Sequence, residues 1–391
     1  MSDALSDGGL SRNVRIVSLV SFFQDTASEI LYPVLPFFVT GVLGAPPAVL
    51  GLIEGLADGT ASVMKVASGR LADRHRRRPI VATGYGISAL GKVLLALAGA
   101  WPIVLVARFT DRVGKGLRGP PRDAIIADDT TTANRGRAFG FHRAADTAGA
   151  VVGPLIGLGL YYAVDQHFGP LLWIAVLPAI LSVGLVFLIR ERPRPVVGPK
   201  RREVPTGLPR RFWKFIAVIG AFALVNFPDT LLLLRAKDLG YDFRGVVALY
   251  VLYNFSYAAL SYPAGTISDR LDRRVVYAAG LLIFAAAYVG FGFAGTPGWL
   301  WVLFPLYGGY AAFTDGVSRA WVADLVPPHQ RGTALGIQAA VSGAGLLVAG
   351  VWAGLAWNGT GRTPFIISGL VTALIAVVLF ASPIWTRPAT P

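Results

Sequence analysis

The sequence predicts an all-α polytopic membrane protein: twelve transmembrane helices in two pseudo-symmetric six-helix bundles. Three observations carry that expectation. Of 391 residues, 54% are hydrophobic and only 15% charged, with a mean hydropathy of +0.57, whereas a soluble domain holds about a quarter charged residues. The apolar residues fall into runs long enough for about a dozen spans of roughly 20 residues. Two separate motifs recur in the second half of the chain at one constant displacement.

The same composition excludes other classes. Cys is 0, which removes a disulfide framework, and Met numbers only 2, which argues against a soft-metal pathway. The net charge of +14 and pI near 10.3 would suit nucleic acid, but the basic residues sit in short clusters between apolar runs rather than along one groove-binding face. No nucleic-acid partner, cofactor or metal is expected.

Residues 1–13 hold Asp3 and Asp7 and lack the basic start of a cleaved signal peptide, so the first apolar run is expected to be a retained helix. Runs between Gly, Pro and charge punctuation place spans at 14–39, 47–67, 80–99, 102–128, 138–162 and 169–189. A second set follows at 212–236, 244–264, 275–295, 298–324, 333–357 and 363–385. Arg70, Arg74, Arg76, Arg77 and Arg78 follow span 2, Arg135 and Arg137 follow span 4, and Arg270, Arg273 and Arg274 follow span 8. The loops around 40–47, 99–102 and 295–299 hold no Lys or Arg. The positive-inside rule then makes both termini cytoplasmic, in the cell's inner membrane. The domains read as an N-terminal bundle over 1–189, a basic, Pro-rich cytoplasmic linker over 190–211 and a C-terminal bundle over 212–391.

The halves are internally similar. Gly69-x-x-x-Asp73-Arg74-x-x-Arg77-Arg78 recurs as Gly265-x-x-x-Asp269-Arg270-x-x-Arg273-Arg274, a displacement of 196. Ala127-Asp128, Arg135-Gly136 and Gly140 recur as Ala323-Asp324, Arg331-Gly332 and Gly336, again displaced by 196. Two related bundles of this kind mark secondary transporters, which rock around a site near the bilayer midplane.

The repeated Gly-x-x-x-Asp-Arg-x-x-Arg-Arg loop resembles the signature of the major facilitator superfamily, and the resemblance covers the whole chain. The stretch Gly114-Lys-Gly-Leu-Arg-Gly-Pro-Pro-Arg122-Asp123 resembles a prokaryotic branch of it. One departure is that Arg76 and Asp272 stand where the superfamily loop usually has Gly. Physically the loop reads as a cytoplasmic gate latch of Gly69, Asp73, Arg74 and Arg77 with Gly265, Asp269, Arg270 and Arg273, its carboxylates capping a helix N-terminus or pairing with Arg. The plainer reading of these residues is charge that sets topology.

Ionisable groups within a bilayer cost about 2.5–3.5 kcal/mol each on insertion scales and are functional candidates. They concentrate in the first bundle. Asp25 and Glu29 are one helical turn apart on span 1; Glu54, Asp58 and Lys65 share a face of span 2; Arg108, Arg112, Lys115, Arg118 and Arg122 make a basic stripe on span 4. Gly119-Pro120-Pro121 is expected to break that helix, and broken helices line cavities. His142 and Asp146 on span 5 could relay protons or sit as an interfacial pair. In the second bundle Asn226 and Asp229 on span 7, and Tyr250, Asn254 and Tyr257 on span 8, complete the candidate cavity; the tyrosines could equally mark the membrane interface. Asp315 and Arg319 read as an internal pair.

Three roles stay open for the first bundle's charges: an anionic or zwitterionic substrate site, a proton site, and a static ion-pair network. Gly149, Gly153, Pro154 and Gly157 on span 5 resemble the antiporter motif of superfamily exporters; small residues also simply allow close packing. No phosphate-cradling loop is present, and the four His are scattered without metal spacing, so neither ATP drive nor an enzyme is expected. The expectation is a monomeric, proton-coupled secondary transporter exporting a small organic or amphipathic solute by antiport. The alternatives are proton-coupled uptake or exchange of an organic anion, and coupling to Na⁺.

Overall fold

The computed structural model describes residues 10–130, 135–191, 207–327 and 330–381, and every regular element among them is helical. The side chains of Asp73, Arg74 and Asp269 lie outside the described part. So do residues 192–206, most of the expected linker.

Helix α1 (Arg12–Leu31) starts where the Ser11 hydroxyl accepts from the Val14 N–H. It stops before Pro33, and α2 (Val34–Pro36) and a π-helical turn (Phe37–Val42) continue its path. There follow α3 (Pro47–Arg74), α4 (Arg77–Ala96), α5 (Trp101–Asp128), α6 (Arg135–Ala163), α7 (Phe168–Ile174) and α8 (Val176–Val186). The second half comprises α9 (Arg210–Ala223), α10 (Asp229–Asp238), α11 (Phe243–Arg270), α12 (Arg273–Phe293), α13 (Leu300–Asp324), α14 (Arg331–Leu355) and α15 (Arg362–Ala381). Spans 1, 6 and 7 are each made of more than one piece, which gives twelve spans. Among the described residues, seven stretches are long and apolar enough to cross a membrane on length and composition alone; α5 is not among them because charged side chains fill its interior.

Three expectations are corrected. Span 7 is not one helix: α9 ends at Ala223 and α10 begins at Asp229, because Pro228 has no N–H to continue the ladder. Conversely, Gly119-Pro120-Pro121 does not break span 4, since α5 runs through all three residues. The reason lies on a neighbouring helix. Pro121 cannot donate to the Leu117 carbonyl four residues back, and the buried Ser68 hydroxyl of α3 donates to it instead. Finally, Gly69–Arg74 and Gly265–Arg270 form the last turns of α3 and α11 rather than loops; backbone hydrogen bonds within a helix need no apolar surroundings to persist.

Two compact units emerge. One comprises Met1–Gly44 and Leu56–Lys200. In it α1 packs on α6 and α8, and α4 on α5, around an aliphatic interior that includes Val14, Val17, Val81, Ile126 and Val186. The other comprises Ala45–Gly55 and Arg201–Pro391. There α13 packs on α11 and α12, α15 on α12, and α14 on α9, with an aromatic interior in which the Phe284 and Tyr288 rings stack at 3.8 Å. Gly51 of α3 and Gly350 of α14 meet backbone to backbone within this unit: a Cβ on either would collide with the other's carbonyl.

Candidate functional site

In the first unit the charges of α5 separate into two groups. Toward α4, Lys92 Nζ lies 2.9 Å from Asp111 Oδ1 and Arg108 lies 3.8 Å from the other oxygen, with all three residues buried. A cleft lined by Ser28, Leu31, Gly91, Lys92, Arg108 and Asp111 opens beside them. Toward α1 and α3 the pairs are both longer than the Lys92–Asp111 contact. Arg118 stands 3.9 Å from Asp25 and Arg112 stands 3.6 Å from Asp58. Both carboxylates are partly exposed, at 23% and 36%, whereas their Arg partners are buried.

Arg118 is held by more than charge. It donates to Ser88 Oγ at 2.6 Å and lies 4.6 Å from the centroid of the Tyr85 ring. Arg122 donates to Ser21 Oγ, which bonds the Tyr85 hydroxyl. The Arg118 guanidinium is therefore held from α4 and that of Arg122 from α1, while Asp25 and Asp58 are partly exposed.

The structure brings Asp25, Glu29 and the span-5 glycines together. A Cβ on Gly149 would stand 3.1 Å from that of Asp25, and one on Gly153 would stand 2.8 Å from that of Glu29. Gly157 meets Ile30 in the same way, so the motif seats α6 against the acidic stripe of α1. Pro154 lies inside the same unbroken helix. Glu29 and Lys115 are half-buried. His142 is buried, with Nε2 3.6 Å from Asp146. Glu54 is wholly buried and belongs to the turns of α3 that pack in the second unit.

In the second unit Asn226 lies in the break between α9 and α10 and donates to the Tyr310 hydroxyl at 3.0 Å. Asp229 opens α10 and accepts from the Tyr307 hydroxyl at 2.7 Å. Tyr253 packs among Tyr250, Tyr257 and Tyr307, with ring centroids at 6.0, 6.5 and 5.3 Å. Tyr257 donates to Asp315 at 3.2 Å, and Asn254 bonds the Tyr250 carbonyl. Arg235, an ionisable group inside a span, is structural: its guanidinium donates to the carbonyls of Phe291, Thr360 and Ala294 at 3.1, 2.7 and 2.8 Å. Tyr307 and Tyr310 had no place in the sequence-derived cavity. The three-residue step from Tyr307 to Tyr310 marks one helix face and could have pointed to them.

At the expected latch, Asp73, Arg74 and Asp269 fall outside the described side chains. Gly69 and Gly265 are half-buried and Arg270 is exposed. Arg77 Nη1 pairs with Asp128 at 2.6 Å, and Arg273 Nε with Asp324 at 2.8 Å. Asp272, one of the two departures from the loop pattern, caps α12 by accepting from the Arg274 N–H. Its counterpart Arg76 cannot do this for α4. There the Glu191 carboxylate, from beyond the end of α8, accepts from the Arg77 and Arg78 N–H groups.

The comparisons with known proteins agree with this architecture. The family model described as Major Facilitator Superfamily matches residues 17–253 and 215–391. An uncharacterized MFS-type transporter of Methanocaldococcus jannaschii is 33% identical over 382 residues, 96% of this chain and 95% of that protein. The multidrug resistance protein MdtH of Yersinia enterocolitica is 25% identical over 370 residues, 90% of this chain and 89% of its own. Among solved structures, the nucleoside transporter NupG superposes with a TM-score of 0.81 at 15% identity, over 95% of this chain and 99% of that one. The human organic anion transporter MFSD10 gives 0.69 at 18%, over 94% and 99%. The chain is a multi-pass membrane transporter, not an enzyme, and belongs to the major facilitator superfamily.

Proposed function

We propose that the protein is a proton-coupled secondary transporter that exports a small organic or amphipathic solute by antiport. It works as a monomer in the inner membrane with both termini cytoplasmic. The observation that carries this reading is the partly exposed Asp25, on the acidic stripe that the span-5 glycines contact and 3.9 Å from a guanidinium locked by Ser88 and Tyr85. A carboxylate beside a fixed cation holds a proton when burial disfavours its charge and releases it when water reaches it. Glu29, Asp58, Lys115 and the His142–Asp146 pair extend the pathway. Asn226, Asp229, Tyr250, Asn254 and Tyr257 face the solute from the C-terminal bundle over 212–391, joined to the bundle over 1–189 by the linker. The cytoplasmic pairs of Arg77 and Arg273 belong to the gate latch. The printed name of the Yersinia relative, a multidrug resistance protein, supports export.

Uptake of an organic anion has less support. Arg108, Arg112 and Arg118, which would have to receive the anion, lie beside Asp111, Asp58 and Asp25. The test is solute-driven pH change in proteoliposomes for wild type, Asp25→Asn and Glu29→Asn. Proton flux lost in either variant is the expected result. Solute movement without proton flux, or flux indifferent to both substitutions, would refute the coupling.

A further inference from the structure

Three successive cations of the α5 stripe, Arg112, Lys115 and Arg118, are held very differently. Arg118 is fastened by Ser88 and the Tyr85 ring, and Arg112 is buried beside Asp58. Lys115 stands one turn from each. Its half-buried side chain makes neither a hydrogen bond nor an ion pair among the described residues. It lies instead within electrostatic reach of two acids on different helices, Asp25 of α1 and Asp58 of α3, while Arg112 and Arg118 repel it along its own helix. The other charges acting on Asp25 are Arg118 and Arg122 of α5 and Asp146 of α6, the partner of His142. Glu29 follows one turn along α1, and α8, which also packs on α1, holds no charged residue over Val176–Val186.

An ammonium on a four-carbon stem is a compact charge with rotatable donors, whereas a guanidinium is a rigid planar fork. Lys115 can therefore change partner while the helices stay in place. With both acids ionised, its charge is shared between them. A proton on Asp25 cancels one attraction and leaves the other, and near a protein surface the attraction of two unit charges in contact exceeds thermal energy several-fold. Asp58 can receive the ammonium. Its side chain is 36% exposed and meets Arg112 only at 3.6 Å, and a carboxylate has lone pairs for more than one donor. Asp58 also stands just past Gly55, where α3 passes from the second unit to the first, so a change at this acid falls where the helix is divided.

We infer that Lys115 is a movable counter-ion: shared between Asp25 and Asp58 while both are ionised, it passes to Asp58 when Asp25 takes a proton, and so transmits the state of α1 to α3. The inference rests on the reading that Asp25 carries the coupled proton. Lys115 is here a positioning residue, acting on α3 through Asp58.

The test uses the full-length protein in detergent, with Asp25→Asn as a permanently uncharged Asp25. Lys115→Met, Asp58→Asn and their double variant are made with and without Asp25→Asn, and the non-additivity of the thermal midpoints measures the coupling of Lys115 to Asp58. That coupling is expected to grow by about 2 °C or more in the Asp25→Asn background. An equal or smaller coupling there overturns the inference. If the Asp58→Asn proteins do not elute as single species, hydrogen exchange carries the comparison with Asp25→Asn and Lys115→Met alone. Protection of the α3 amides over 56–62 is expected to change by about threefold or more in Asp25→Asn, and the change is expected to vanish once Lys115→Met is added. An unaltered α3, or a change that survives Lys115→Met, overturns the relay. Both measurements are made at equilibrium without solute or proton gradient, so the two readings fail separately. Solute-driven proton flux lost in Asp25→Asn, with the Lys115–Asp58 coupling unchanged, would keep the proton site and remove the relay. A coupling that grows in a protein without such flux would keep the movement of Lys115 and remove its use in transport.

Discussion

Arg77 and Asp128 join the start of α4 to the end of α5 through a 2.6 Å ion pair, and 196 residues later Arg273 and Asp324 make the same pair at 2.8 Å between α12 and α13. The two clamps are not equally buried. Side-chain exposure is 10% and 44% in the first, 23% and 53% in the second. Exposed pairs contribute about 0.2–1 kcal/mol, and loss of the more buried Arg leaves the more costly orphan. Arg77→Ala is therefore expected to lower the thermal midpoint more than Arg273→Ala. Exchanging the partners, Arg77→Asp with Asp128→Arg, should recover part of the loss; if the double variant is worse than either single change, the pair is not the source.

Glu191 caps α4 from a distance, and Glu191→Ala should cost about 1 kcal/mol, the usual worth of an N-cap. Hydrogen exchange checks the site directly. The amides of Arg77 and Arg78 are expected to lose protection in Glu191→Ala while that of Arg274 keeps it, and Asp272→Ala should give the opposite pattern.

Ser68→Ala removes the donor that stands in for Pro121. An unpartnered buried carbonyl costs about 1–3 kcal/mol, and Pro121→Ala in the same background supplies an N–H of its own to Leu117. The double variant is thus expected to be more thermostable than Ser68→Ala alone. No recovery would mean that α5 holds its course through Pro120 and Pro121 for another reason.

Gly153→Ala places a methyl 2.8 Å from Glu29 Cβ and 2.9 Å from the Thr26 carbonyl oxygen, an overpacking worth about 1–3 kcal/mol. Gly159, on the same helix, has nothing within 4 Å of a new Cβ. Gly159→Ala should be neutral or gain up to about 1 kcal/mol of helix propensity. Thermal unfolding monitored by Trp fluorescence separates the two.

Lys92→Ala takes from buried Asp111 its nearest cation and leaves Arg108 at 3.8 Å, so it should cost less than the about 3–5 kcal/mol of a fully broken buried pair. Lys92→Ala with Asp111→Ala removes both charges and is expected to be less damaging than the single change. Equal damage from both would show that packing, rather than the pair, is what Lys92 supplies.

Much of this was legible in the sequence because membranes impose long-range order on composition. Apolar runs give spans, Arg clusters give sides, and a constant displacement gives halves. Arg77, Asp128, Arg273 and Asp324 were all visible as repeated residues. That they pair was not, since pairing depends on which helices touch rather than on spacing along one helix. Lys92 and Asp111 escaped for the same reason: they sit on different helices, and neither stripe points to the other. The course of α5 was misread because the group that rescues Pro121 is a serine some fifty residues earlier in the chain. The break in span 7 had its signal in Pro228, which bounding a span by hydropathy alone does not register. The tyrosines of α13 went unread because their meaning depends on Asp229, which only folding brings beside them.

The two caps also differ in when they can form. Asp272 and the amide it binds lie two residues apart, so α12 can close its N-terminus as soon as it is synthesised. Glu191 is 114 residues beyond the Arg77 amide. At about 5–20 residues per second, α4 waits on the order of 6–23 seconds for its cap, until span 6 has left the ribosome. The duplicated architecture therefore has a temporal asymmetry. The cap of α4 must wait for the last helix of its bundle, whereas the cap of α12 is complete within α12's own first turn.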